Sequence, residues 1–216
     1  MARPRPAGKA EDTTTRRRIL EKAREAFASL GFEGVTMVEV ARRAGVGHPL
    51  VYYHFESLQK LWEAAVDSAF AEIGSPLRDA QVELEGLAPL ERLRALLRRY
   101  VLFAARHREM QLIIARESAI DGARLDRLVA RHIAPLHEAL GGVLESAQRE
   151  GLLKPLPIHH LVPMLNGAVL LFFGGAPLVR RIYDVDPMAD ENVAKHADVV
   201  VEVLLEGLRR REKEGS

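Results

Sequence analysis

Apolar residues recur along this chain at spacings of three and four. That is the period of an α-helix burying one face, and no stretch keeps the two-residue alternation of a half-buried strand. Ile19, Leu20, Ala23, Ala26, Phe27 and Leu30 share one face of a first helix, expected to follow the threonines at 13–15 and to end at Gly31. Thr36-Met37-Val38-Glu39 reads as a capping box. The Thr36 hydroxyl accepts the Glu39 amide, the Glu39 side chain reaches back to the Thr36 amide, and a short second helix begins. Gly45 supplies a tight turn, and a third short helix follows from His48 to His54, with Pro49 in its first turn, where a missing N–H has no partner to lose. Ser57 caps a fourth helix striped by Leu58, Leu61, Trp62, Ala65, Val66, Ala69, Phe70 and Ile73. Its start belongs with the helices before it and its end with those after, so it should couple the two. Further helices are expected over about 89–107, 109–119, 122–150, 158–175 and 190–211, about nine in all, with Pro135 kinking the long one.

Residues 36–55 read TMVEVARRAGVGHPLVYYHF, two short helices around a glycine turn: a helix-turn-helix whose second member enters the major groove of DNA. That helix is only about 10 Å long, so few side chains can touch a duplex. Tyr52, Tyr53 and His54 are its expected exposed set and can donate to phosphate oxygens. His48 and Leu50 lie nearer its start, where Leu50 can meet a thymine methyl. Val51 and Phe55 are expected to pack inside the head. Residues 1–60 carry a net charge of +4 and the rest −3, which puts the polyanion-binding end at the N-terminus. Arg3, Arg5 and Arg16 to Arg18 can follow the groove or backbone, with ordinary solvation an equal reading for any one of them.

The stretch from Thr15 to Ala65 resembles the TetR family of bacterial repressors. The likeness rests on Arg18-Ile19-Leu20, the Gly31-Phe32-Glu33-Gly34 loop, Thr36, Val40-Ala41, Ala44-Gly45-Val46, Val51 through Phe55, and Leu61. It implies an all-α homodimer: a three-helix DNA-binding head at 13–60 behind a flexible basic arm at 1–12, and an effector-binding and dimerisation domain at 61–216. In such proteins the last two helices of each subunit form a four-helix interface, and a small molecule held behind the heads alters their separation. Thr36 and Lys60 join the DNA-contacting set by this resemblance. Three departures bear on the operator: Gly47 where serine commonly caps the recognition helix, Pro49-Leu50 for Gly-Thr, and Leu58 for a phosphate-binding lysine, with Lys60 as its neighbouring substitute.

A sensing pocket should be apolar with a few placed polar groups. Trp62, Phe70, Tyr100, Phe103, Ile114, Phe172 and Phe173 are candidate walls and His132, His137 and Asn166 candidate anchors, although core packing is the competing role for every aromatic. An apolar or acyl-type effector suits this inventory. Two apolar stretches, 161–173 and 193–208, cannot both be covered within one subunit and point to a twofold dimer reading two half-sites.

Composition narrows the alternatives. With 48% hydrophobic and 28% charged residues the chain reads as globular. The absence of cysteine removes disulfides and thiolate metal sites and suits a reducing cytoplasm, the expected location. Met1 to Ala10 lacks the apolar segment of a secretory signal. The uncharged run from Pro155 to Val179 is broken by histidines, prolines and glycines, and is read as a buried helix with no membrane partner. His132 and His137 are five apart, a poor metal-ligand spacing, and His159 and His160 are adjacent. No metal, cofactor or enzyme motif is present, and carboxylates such as Glu117 and Asp121 read as solvated surface. The remaining rival is a DNA-binding dimer without a small-molecule ligand, which predicts a filled core.

Overall fold

The three-and-four periodicity resolves into helices throughout residues 8–84 and 86–209, which a computed structural model describes, with the backbone alone for 8–11 and 73–83. The elements are α1 (Gly8–Leu30), α2 (Met37–Ala44), α3 (His48–Phe55), α4 (Leu58–Glu83), α5 (Pro89–Arg106), α6 (Arg108–Ser118), α7 (Ala123–Leu128), α8 (Ala134–Arg149), α9 (Ile158–Gly174), α10 (Ala176–Tyr183) and α11 (Asp190–Leu208). A π turn over Val129–Ile133 joins α7 and α8 into one continuous rod, so the described residues form ten helices where about nine were expected. The one added is α10. Gly174-Gly175 and Pro177 read as terminators, yet Pro177 sits in the first turn of a new helix, where it is tolerated.

Two expectations are corrected locally. The first helix begins by Gly8, ahead of the threonines, with Asp12 near its start, where negative charge suits a helix N-terminus. Residues 1–7 of the expected arm, including Arg3 and Arg5, lie outside the described residues, as does the Ile73 side chain of the α4 stripe. The distortion at Pro135 takes the form of the π turn. Proline lacks an N–H and its ring crowds the carbonyl four residues back. The ladder widens just before it, and Ala134 N–H donates to the Val129 carbonyl five residues away.

Packing among the described residues builds two large cores and a small cluster around Leu84 and Leu96. The first gathers Ile19, Ala23 and Phe27 of α1, Val40 and Ala41 of α2, Val51 and Phe55 of α3, and Leu61, Trp62, Ala65, Val66 and Ala69 of α4. Met110 and Ile113 of α6 and Leu128 of α7 close it from behind. The expected division at 60/61 therefore falls inside a packed cluster. Trp62 and Phe27 are among its largest fully buried side chains, each contributing about 1.5–3 kcal/mol by leaving water. The second core joins Leu93, Leu97 and Val101 of α5, Leu144 of α8, Leu161, Leu165, Val169 and Phe173 of α9, and Val200, Val201 and Leu205 of α11. An antiparallel bridge between Leu153 and Arg209, with Lys154 N–H donating to the Leu208 carbonyl at 2.8 Å, ties the end of α11 to the turn after α8. Among the described residues no single helix is long and apolar enough to cross a membrane; α9 and α10 reach that composition only together, bent by 69°.

Candidate functional site

The turn between α2 and α3 follows from its residues. Glu39 N–H donates to Thr36 Oγ1 at 3.1 Å, as the capping box requires. The reciprocal half does not form. The Glu39 carboxylate instead accepts from Arg42 Nε and Nη2 at 2.9 and 2.8 Å and from Arg43 Nε at 2.7 Å, and these guanidiniums lower its pKa to about 2. Cations one turn away on the same face outbid a neutral amide. Gly45 sits at φ 63°, where a side chain would be strained, and its N–H closes onto the Ala41 and Arg42 carbonyls. Gly47 caps α3 without a side-chain bond.

Helix α3 divides into two faces. Val51 and Phe55 are buried, whereas His48, Leu50, Tyr52 and Tyr53 face outward, Tyr53 with 77% of its surface exposed. His48 and Tyr52 meet edge to face at 6.4 Å. The expectation that His54 faces outward is corrected. Its side chain is 6% exposed, with Nε2 3.3 Å from the Asp12 carboxylate on α1. Three residues after Val51, it lies on the buried side of the helix. Arg16 stands 5.2 Å from the Phe55 ring and is exposed, as are Arg17 and Arg18. Between α3 and α4 the chain reverses through Glu56 at φ 59° and ψ −43°, a strained γ-turn closed by Ser57 N–H donating to the Phe55 carbonyl. Ser57 Oγ accepts the Lys60 amide at 3.2 Å, Leu58 packs partly buried against the head core, and exposed Lys60 pairs with Glu63 at 3.3 Å.

Ionic contacts fasten this head to the helices behind it. Arg116 of α6 donates to the Ala28 and Ser29 carbonyls at 3.2 and 3.0 Å, satisfying the open end of α1. Arg24, 6% exposed, meets Glu72 of α4 at 3.1 Å and Glu109 of α6 at 3.7 Å. Arg124 bonds Glu117 at 3.0 Å and lies 4.1 Å from the Phe32 ring. Glu117 is thus buried and paired, which corrects its reading as solvated surface; Asp121 is exposed.

Behind α4 and α6 lies a cavity of about 170 Å³. Phe70 of α4, Leu96 and Tyr100 of α5, Gln111 and Ile114 of α6, and Ile133 of the π turn form one side of it. Leu136, His137, Leu140 and Val143 of α8 with Asn166 and Leu170 of α9 form the other. Tyr100 Oη–H donates to Asn166 Oδ1 at 2.5 Å, and Asn166 Nδ2 lies 3.1 Å from His137 Nε2. Burial pushes the Tyr100 hydroxyl up to about 12 and lowers the His137 imidazole below its usual range. Both are uncharged near neutrality, with His137 Nε2 as acceptor.

Of the expected pocket residues, the structure brings Phe70, Tyr100, Ile114, His137 and Asn166 together. The other five stand elsewhere. Trp62 is wholly buried in the head core. Phe173 fills the second core, while Phe172 packs against that core and stacks on His196 at 3.9 Å. Phe103 stacks on His107 at 4.2 Å. His132 lies one layer out, stacked on Phe70 at 4.3 Å and bonded to Asp67 at 2.7 Å, with Arg127 on the same carboxylate at 2.9 Å. Trp62 and Phe173 complete cores, and the cavity is walled mostly by aliphatics. Gln111, a lone amide among Met110, Leu112, Ile113 and Ile114, was missed and carried the one usable signal. No group of three or more potential metal ligands comes together among the described residues.

Residues 19–65 match the family model for bacterial regulatory proteins of the tetR family, and residues 89–204 match that for the tetracyclin repressor-like C-terminal domain. The HTH-type transcriptional repressor NicS of Pseudomonas putida is 24% identical over 201 residues, 91% of this chain and 93% of NicS. Two solved structures share the fold. The hemolysin II transcriptional regulator HlyIIR has a TM-score of 0.69 at 18% identity, covering 93% of this chain and 99% of that one. The ketosteroid transcriptional regulator KstR2 of Mycobacterium tuberculosis has a TM-score of 0.68 at 19% identity, covering 91% and 95%.

Proposed function

The chain belongs to the TetR family of bacterial regulatory proteins and so to the DNA-binding transcriptional regulators, and on that premise we propose that it is a repressor released from its operator by a small, mainly apolar effector. The carrying observation is that α4 and α6 each pack in the head core and also wall the cavity. On α4, Leu61, Trp62, Ala65, Val66 and Ala69 pack in the head, and Phe70, packed against the same core, walls the cavity; on α6, Met110 and Ile113 pack in the head while Gln111 and Ile114 wall the cavity. A guest that displaces either wall moves a helix whose other side carries the reader, and Arg116 extends the path to α1. A body that only dimerised would gain by filling this space, since empty volume costs stability.

In this reading residues 13–60 form the DNA-binding unit, with the first half of α4 as its floor, and 61–216 the effector and dimer unit. Tyr52, Tyr53, His48, Thr36 and Lys60 hold phosphates, and Leu50 meets a thymine methyl. Lys60 exchanges Glu63 for DNA. His54 supports the helix from inside. The dimer forms through α9 and α11, where Met164, Leu171, Val199 and Val203 leave apolar surface uncovered, Leu171 with 78% exposure. Twofold symmetry makes the operator an inverted repeat. The description of NicS as a repressor supports repression over activation.

Selection of bound sequences from random duplex DNA tests this reading. An enriched inverted repeat, lost with Tyr53→Ala, is expected. Failure to enrich any sequence at low salt with folded protein would remove it.

A further inference from the structure

Among the described residues, the cavity walls contain no Asp, Glu, Lys or Arg. Their four polar side chains are Tyr100, Gln111, His137 and Asn166, and three of these are engaged with one another through the Tyr100–Asn166–His137 chain. Gln111 differs. Its Nε2 donates to the Ala104 carbonyl at 2.8 Å, which fixes the orientation of the amide, and its Oε1 is buried with no partner among the described residues. The residue is 8% exposed. Gln111 lines the cavity, and its unmatched acceptor calls for a donor. The carbonyl cannot satisfy a carboxylate or a phosphate, and no cation among the described wall residues neutralises one. Volume sets the size. A cavity of about 150 Å³ lined by Leu, Ile and Phe is known to take benzene, and this one measures about 170 Å³.

We infer that the cavity takes a neutral, ring-sized apolar molecule bearing a hydroxyl, an alcohol or phenol that donates to Gln111 Oε1, and that it rejects acids of the same skeleton. The inference rests on the reading of this cavity as the effector site and narrows it: a free fatty or aromatic acid is excluded.

Three probes with the same seven carbons separate the alternatives by titration calorimetry on the full chain at neutral pH: benzyl alcohol, toluene and benzoate. Benzyl alcohol should bind about tenfold more tightly than toluene, the worth of one well-made hydrogen bond. Benzoate should bind roughly 100-fold more weakly than the alcohol, or not at all, because its charge loses water without a counterion. In Gln111→Leu the preference for alcohol over toluene should vanish while toluene affinity stays within about twofold. Benzoate binding as well as the alcohol in the unmodified protein overturns the inference. So does an alcohol preference that survives in Gln111→Leu, or the absence of binding by all three at millimolar concentration. Operator affinity measured on the same samples keeps the two readings apart. Selective alcohol binding that leaves DNA affinity unchanged supports the chemistry of the cavity and removes its effector role. Release by benzoate alone keeps the effector role and overturns the chemistry.

Discussion

Tyr53→Ala separates DNA contact from folding more cleanly than any other substitution in the head. The side chain is 77% exposed, and its ring meets that of His54 edge to face at 5.3 Å between centroids. Its truncation should therefore change stability by no more than about 0.5 kcal/mol, the usual range for surface positions. Binding is another matter. A hydrogen bond from a neutral hydroxyl to a charged phosphate is worth about 1.5–3 kcal/mol once both groups are desolvated. The dimer makes the contact twice, so the low end of that range already gives about 3 kcal/mol, or about 100-fold in Kd. Fluorescence anisotropy with the selected duplex measures the loss, and thermal unfolding checks the fold. Tyr53→Phe should reproduce most of the effect, because it keeps the ring and removes only the donor. Phe55→Ala supplies the contrast: at 3% exposure it should cost about 3–5 kcal/mol of stability and abolish binding through the fold. If Tyr53→Ala binds within twofold of the unmodified protein, the outward face of α3 is not the reading surface.

Three other outcomes follow from the same geometry. Leu171→Asp together with Val203→Asp should give folded monomer by sedimentation, weakening dimerisation by roughly 1000-fold or more, since the twofold axis doubles every unpaired carboxylate; an intact dimer would move the interface off α9 and α11. His107, His137 and His196 all have imidazole pKa values lowered below 6.5, first of all by burial. The unfolded chain therefore takes up protons first, so stability should be full above pH 6.5 and fall as pH drops below it; a Tm that holds steady or rises on acidification from pH 7 to pH 5, after carboxylate effects are matched with His137→Gln, contradicts the buried-neutral assignment. Arg116→Ala should leave the cavity able to bind its guest while reducing the effect of that guest on operator affinity, and undiminished coupling would place the path through α4 alone.

The head was legible because its rules are local. Thr36, Gly45, Pro49 and Ser57 each set one turn, and the core spacing of Val51 and Phe55 needs no partner chain to be read. The same spacing already placed His54 inside, three residues after Val51, and chemical attraction to an imidazole as a phosphate donor obscured it. The long α4 stripe announced burial correctly but not where a gap would open: Trp62 is wholly buried in the head core, whereas Phe70, eight residues on and packed against the same core, also walls the cavity. The cavity was the least legible part. Leu96, Leu140, Val143 and Leu170 are the residues any core would use, and whether they meet or leave a gap depends on how far apart α5, α8 and α9 are held. The π turn before Pro135, which brings Ile133 to the wall, appears in sequence only as a proline inside a helical pattern.

One titration tests the coupling between cavity and reader. A guest is identified by its ability to raise the Tm of the unmodified protein but not of Leu140→Trp, in which the indole fills the cavity. Operator affinity is then measured by anisotropy with and without that guest at saturation. Release by about tenfold or more in the unmodified protein, with no response in Leu140→Trp, is the predicted result. Equal operator affinity with the cavity full and empty would contradict it, and would leave a DNA-binding dimer that senses nothing through this site.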